Sequence, residues 1–109
     1  MLDVGVGSGY QTAVLAELCK DVYGVEILDA LAAEAAKRLK GLGYANVQIR
    51  QGDGYQGGKE HAPFDAIVVA ASPDRVPQPL IDQLAPGGRM AIPVGGYPQQ
   101  LTLVVKDAQ

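Results

Sequence analysis

With one cysteine and one histidine in 109 residues, several kinds of chemistry drop out at once. Cys19 alone cannot build an internal disulfide framework, which fits a reducing compartment and predicts a cytoplasmic protein. On a helix among apolar residues, it reads as core packing. His61 has no cysteine or second histidine for company, so it makes no metal site and reads as a surface residue of the polar loop 57–63. Neither a Ser-His-Asp set nor an H-E-x-x-H pattern is present. No apolar run approaches the ~20 residues of a membrane span, and no stretch carries a secretory signal pattern. Basic residues are outnumbered 9 to 12, giving a net charge of −3 and a pI near 4.9. No basic face is on offer to nucleic acid. A hydrophobic fraction of 48% with 19% charged residues is ordinary globular composition, and the length holds one domain, 1–109.

What the chain does have lies at its start: Leu2-Asp3-Val4-Gly5-Val6-Gly7-Ser8-Gly9-Tyr10. An apolar strand ends beside an acid, three alternating glycines follow, and a helical segment comes next. Glycines let a backbone turn tightly and come close to a ligand, and the helix behind them presents free N–H groups. The dinucleotide fingerprint is G-x-G-x-x-G with a pyrophosphate on those groups. Here the pattern is D-x-G-x-G-x-G. A carboxylate at that mouth repels a pyrophosphate and suits a cationic amino group or sulfonium. The spacing therefore points to S-adenosylmethionine rather than NAD. Gly7→Val is expected to abolish binding with the fold retained, because its branch would fill ligand space.

Strands alternate with helices along the rest of the chain. Val14, Leu15, Leu18 and Val22 recur near helical spacing and predict a helix over 10–19. Residues 22–26 form a strand ending in Glu26. Asp29 is the expected N-cap of a helix through Lys40, with Leu31, Ala32, Ala35 and Leu39 inward and Glu34–Arg38 as an ion pair. Gly41 or Gly43 stops it. Residues 47–50 alternate as an edge strand does, whereas 64–71 are apolar apart from Asp65, as in a buried parallel strand. Asp65 is expected to hold a neighbouring group rather than to catalyse. Residues 77–84 form a short helix, 86–88 a turn, 89–94 a fifth strand and 101–105 a sixth. The predicted fold is α/β and Rossmann-like, with a mainly parallel sheet in the order 3-2-1-4-5, helices on both faces, and the pairing of the sixth strand open.

Two acids stand where such a sheet places ligand contacts. Glu26 ends the second strand, the position from which an acid bonds a ribose diol. Gly52-Asp53-Gly54 follows the third strand, so the glycines can admit a flat ring and Asp53 can accept from an exocyclic amine such as that of adenine. A plain turn would use the same triplet. Tyr44 and Tyr55 could line the adenine side, and packing accounts for them equally well.

Together these segments resemble the class I methyltransferases, most closely the protein-L-isoaspartate O-methyltransferases. The resemblance runs through Asp3-Val4-Gly5-Val6-Gly7-Ser8-Gly9-Tyr10-Gln11, the helix leading into Arg38-Leu39-Lys40-Gly41-Leu42-Gly43-Tyr44, Gly52-Asp53-Gly54, His61-Ala62-Pro63-Phe64-Asp65-Ala66-Ile67 and Pro86-Gly87-Gly88-Arg89-Met90-Ala91-Ile92-Pro93-Val94-Gly95 with Gln100-Leu101. It implies methyl transfer from S-adenosylmethionine to the free carboxylate of L-isoaspartyl residues in damaged proteins, with protein or peptide partners and neither nucleic acid nor membrane. By position, Asp3 and Gly5, Gly7 and Gly9 would hold the methionine part, Glu26 the ribose, and Asp53 with Gly54 the adenine. Gln100 would help shape the substrate end.

The family's serine beside the transferring methyl, in a Ser-x-Pro segment, is expected upstream of Met1. A last strand that inserts between the fifth and sixth is expected to be missing, and Ser72-Pro73 is no counterpart of the serine segment. The 109 residues alone are accordingly expected to bind cofactor but not to turn over. Three other readings remain open: a class I methyltransferase for a small metabolite or RNA, a non-catalytic cofactor-binding fragment, and, disfavoured by Asp3 and the glycine spacing, an NAD-dependent dehydrogenase.

Overall fold

The computed structural model describes residues 1–7, 9–70, 73, 75–95 and 100–107. Its strands follow the apolar pattern. β1 (Leu2–Val4) is buried at every position, and β2 (Val22–Glu26) is buried except at half-buried Tyr23. Such strands lie inside a parallel sheet with both faces covered. In contrast, β3 (Val47–Gln51) alternates between half-buried and exposed and forms one edge. β4 (Phe64–Val69), β5 (Leu84–Val94) and β6 (Gln100–Val105) complete the order β3-β2-β1-β4-β5-β6. All neighbours pair in parallel except β5 and β6, which are antiparallel from Arg89↔Val105 to Val94↔Gln100. The sixth strand thus bonds directly to the fifth, with no strand inserted between them.

The core lies on one face of the sheet, where Leu2, Val4, Val25, Ile67, Val69, Met90 and Ile92 meet Leu80 of α3 (Gln78–Asp82). On the other face lie α1 (Tyr10–Leu18) and α2 (Asp29–Gly41). Gly24 leaves room there for Val6, whose Cγ2 would stand 2.6 Å from any Cβ added at that position. Ala32, Ala35 and Leu39 are buried as predicted, Leu31 is half-buried, and Arg38 bonds Glu34 at 2.9 Å. α2 ends on Gly43, at φ +89°, with the Tyr44 N–H donating to the Leu39 carbonyl and the Gly43 N–H to that of Lys40. This double bond pattern satisfies the orphan carbonyls of the last turn.

Several local expectations are corrected. α1 buries Thr12 and Ala16, while Val14 and Leu18 are 43% and 77% exposed. Its inward side chains are small, and the Thr12 hydroxyl reaches down to Asp3 of β1. Cys19 is half-buried beyond the end of α1 and outside the core. Asp29 lies in the first turn of α2, and the cap position is Leu28, with no side-chain bond of its own. An acid there still complements the positive end of the helix. Residues 86–88 do not turn out of a helix. They lie within β5, where the register shifts between the Phe64↔Leu84 and Ala66↔Arg89 pairs. Gly88 fits because a Cβ would come within 2.8 Å of the Ala85 carbonyl. Among the described residues no helix is long and apolar enough to cross a membrane.

Candidate functional site

The C-terminal ends of β1, β2 and β3 stand side by side, and the segments leaving them meet. This is where open α/β sheets take ligands. Val4 is followed by Gly5 at φ +86°, Gly7 at +58° and Gly9 at +92°, a left-handed run that other residues adopt only under strain. The Gly5 N–H donates to the Val25 carbonyl (2.9 Å) and the Gly9 N–H to that of Val6 (3.1 Å), so the turn is closed by its own backbone.

Glu26, 6% exposed, points into this turn. Its Oε1 accepts the Gly7 N–H at 2.8 Å, and its Oε2 accepts the Leu28 N–H at 3.0 Å. Each carboxylate oxygen keeps a second lone pair. Beyond β3, Asp53 caps a short 3-10 turn (Gly54–Gln56) by accepting the Tyr55 N–H at 3.0 Å. A Cβ on Gly54 would overlap Val4, so that glycine lets the turn lie against β1. The result is a cleft of about 210 Å³ whose walls include Gly5, Glu26, Ile27, Asp53, Gly54 and Tyr55. Ligand sites are commonly about 300–1,000 Å³, so this cleft takes part of a cofactor-sized molecule.

Asp3 lies one layer deeper. It has no exposed surface, and its Oδ2 accepts the Thr12 hydroxyl at 2.5 Å. Its Oδ1 is buried without a hydrogen-bond partner, the only such side-chain atom found among the described residues. Burial pushes the Asp3 carboxyl above the usual carboxylate range, against the smaller opposing pull of the Thr12 bond.

The structure therefore gathers Gly5, Glu26, Asp53 and Gly54 around one cleft, with Asp3 beneath the turn. It does not bring Gly7 or Gly9 onto the cleft wall. Gly9 is buried at the start of α1, 3.5 Å from Ala35 and Leu39 by its notional Cβ, so it allows α1 to approach α2. A Cβ on Gly7 would meet nothing within 4 Å. Open space there is compatible with a branch filling ligand space, and the left-handed backbone is a second barrier to a side chain. Tyr55 lines the cleft. Tyr44 does not; its hydroxyl donates to Glu17 at 2.7 Å beside a separate apolar hollow of about 430 Å³ near the start of β3. His61 stacks on Tyr23 with ring centres 3.9 Å apart, and Asp65 is exposed. Ser8, Ser72 and the Gln100 side chain lie outside the described residues. Thr12 was missed by the pattern reading. Its signal was a hydroxyl on the otherwise small inner face of α1.

Comparison with known proteins places this geometry. The sequence profile of the family described as protein-L-isoaspartate(D-aspartate) O-methyltransferase (PCMT) matches residues 1–109. The protein-L-isoaspartate O-methyltransferase 2 of Syntrophobacter fumaroxidans is 63% identical over all of this chain and 45% of its own length. Another relative, from Gloeobacter violaceus, is 56% identical over 96% of this chain and 51% of its own length. The chain thus spans about half the length of the curated relatives it matches. A solved Plasmodium falciparum protein-L-isoaspartate O-methyltransferase in complex with S-adenosyl-L-homocysteine superposes with a TM-score of 0.80 at 33% identity, over 96% of this chain and 56% of its own. With a profile matched from first residue to last, and this sheet order and glycine turn beneath it, the chain belongs to the protein-L-isoaspartate(D-aspartate) O-methyltransferase family.

Proposed function

We propose that this chain holds S-adenosylmethionine and serves methyl transfer to the free carboxylate of L-isoaspartyl residues in damaged, cytoplasmic proteins. The observation that carries the cofactor reading is the pairing of two acids at adjacent strand ends: Glu26 with unused lone pairs at the cleft, and Asp3 with an orphaned Oδ1 beneath the glycine turn. These residues fit the molecule. Asp3, with its unpartnered Oδ1, would set the polarity beneath the turn in favour of a cationic amino group. Glu26 offers acceptors to a ribose diol, and Asp53 with the flat Gly54 turn offers an edge to adenine. Glu26 and Asp53 at the cleft disfavour a pyrophosphate, which weighs against the dinucleotide alternative.

When bound, the sulfonium carries an electrophilic methyl group: its C–S bond breaks as a C–O bond to the acceptor carboxylate forms, leaving a methyl ester and S-adenosylhomocysteine. No proton has to be moved, because a carboxylate is already ionised at neutral pH. The task left to the chain is orientation, which can supply ~7–11 kcal/mol of a barrier. The parallel sheet sets Glu26, Asp53 and the glycine turn side by side, and they would hold the cofactor in one orientation.

Incubating a full-length family chain that carries these 109 residues with methyl-labelled S-adenosylmethionine and a pair of peptides differing only in L-isoaspartyl against L-aspartyl linkage tests the substrate class. Base-labile label on the isoaspartyl peptide alone is expected. Label on the aspartyl peptide, on RNA or on a small metabolite in its place would overturn the assignment.

A further inference from the structure

We propose that Glu26 is the positioning residue of the glycine turn, holding it in its binding shape before any ligand arrives. This rests on the cofactor reading above but adds a second task to the same side chain. The Glu26 carboxylate joins two segments that leave different strands: Gly7, after β1, donates to Oε1 at 2.8 Å, and Leu28, after β2, donates to Oε2 at 3.0 Å. Both are charge-assisted bonds to a nearly buried group, the stronger kind of hydrogen bond.

Among the described residues, backbone bonds hold the two ends of the turn and the Glu26 clasp holds its middle. Gly5 and Gly9 are tied by backbone bonds to Val25 and Val6, while Gly7 lies midway between them with open space where a Cβ would be. Glycine has the largest conformational freedom to lose. The clasp on Gly7 therefore decides whether the turn presents one shape or many. A ligand that meets an ordered turn avoids the cost of ordering it.

The two tasks make different demands on position 26. A ribose hydroxyl both donates and accepts, so it tolerates an amide. The clasp does not, because two N–H donors face the two oxygens, and Glu26→Gln sets an NH₂ against one of them. In the ligand-free protein, Glu26→Gln is expected to speed amide exchange at Gly7 or Leu28 at least tenfold. The Ala70 N–H, bonded to the Val4 carbonyl within the sheet, should keep its rate.

A second readout uses ligand pairs. S-adenosylhomocysteine and its 2′,3′-dideoxy analogue should both lose affinity for Glu26→Gln, because the turn is loosened for either. A loss confined to the ribose form means that Glu26 touches sugar only, and overturns the clasp. A third measurement needs no variant: the Gly7 amide of the unsubstituted, ligand-free protein should exchange at least tenfold more slowly than in a free chain. Free-chain exchange there overturns the proposal even if the Gln variant fails to fold. The exchange measurements use no ligand, so they stand or fall independently of whether S-adenosylhomocysteine binds.

Discussion

A carboxyl enclosed as fully as that of Asp3 favours its proton, since burial disfavours the charged form more than the single Thr12 bond restores it. The sign of the stability effect follows. The folded state holds the proton more tightly than the unfolded chain does, so the group's contribution is intact below its ordinary value of about 3.9 and is lost as pH rises through the raised one. Asp3→Asn, which cannot ionise, should therefore gain on the unsubstituted protein as pH climbs through that window. Urea unfolding of both proteins from pH 4 to 8 checks this. A difference between them that does not change with pH would contradict it. Gly7 presents another residue-scale problem, since its φ of +58° excludes most side chains although the space is open. Gly7→Val should cost about 1–2 kcal/mol in the same experiment. Gly7→Asn should cost less, because asparagine tolerates the left-handed region. Equal costs would mean that the turn adjusts freely.

At the scale of elements, the sheet order was legible because each strand carries its own pattern. Apolar residues interrupted only by Asp3 in β1 and Asp65 in β4 mark the centre, and the alternation in β3 marks an edge. The helix faces were less legible. Val14 and Leu18 have core-like spacing, yet Thr12 and Ala16 are the residues beneath α1, where the Thr12 hydroxyl bonds Asp3 of β1. Hydrophobic periodicity does not register a polar bond of that kind. Likewise, Glu26 was readable as a cleft acid from its place at a strand end. Its bonds to Gly7 and Leu28 were not, because they depend on two loops converging. The end of α2 was readable to within two residues: of the two candidate glycines, it is Gly43, one residue past Leu42 at φ +89°, that makes the turn, with the Gly43 and Tyr44 N–H groups bonded to the Lys40 and Leu39 carbonyls. Gly43→Ala should cost about 1–2 kcal/mol, measured as a lower denaturation midpoint. Ligand affinity should not move, since Gly43 lies beside the start of β3 and away from the cleft. A matching loss of affinity would tie α2 to the site more tightly than its contacts indicate.

For the molecule as a whole, the parallel sheet brings three chain segments, each weak as a signal alone, into one constellation. The glycine turn, Glu26 and the Gly52–Gly54 stretch are far apart in sequence and adjacent at the strand ends. Their chemistry is anionic throughout, which selects the ligand: a cationic amino acid moiety joined to an adenosine is favoured and a pyrophosphate is opposed. Titration calorimetry with S-adenosylhomocysteine and with NAD, on the unsubstituted protein and on Glu26→Ala, tests that selection. S-adenosylhomocysteine should bind in preference to NAD. Glu26→Ala should weaken its binding roughly tenfold or more, as expected for a lost charged hydrogen-bond partner worth ~1.5–3 kcal/mol. Tighter binding of NAD, or an unchanged affinity in Glu26→Ala, would contradict the account.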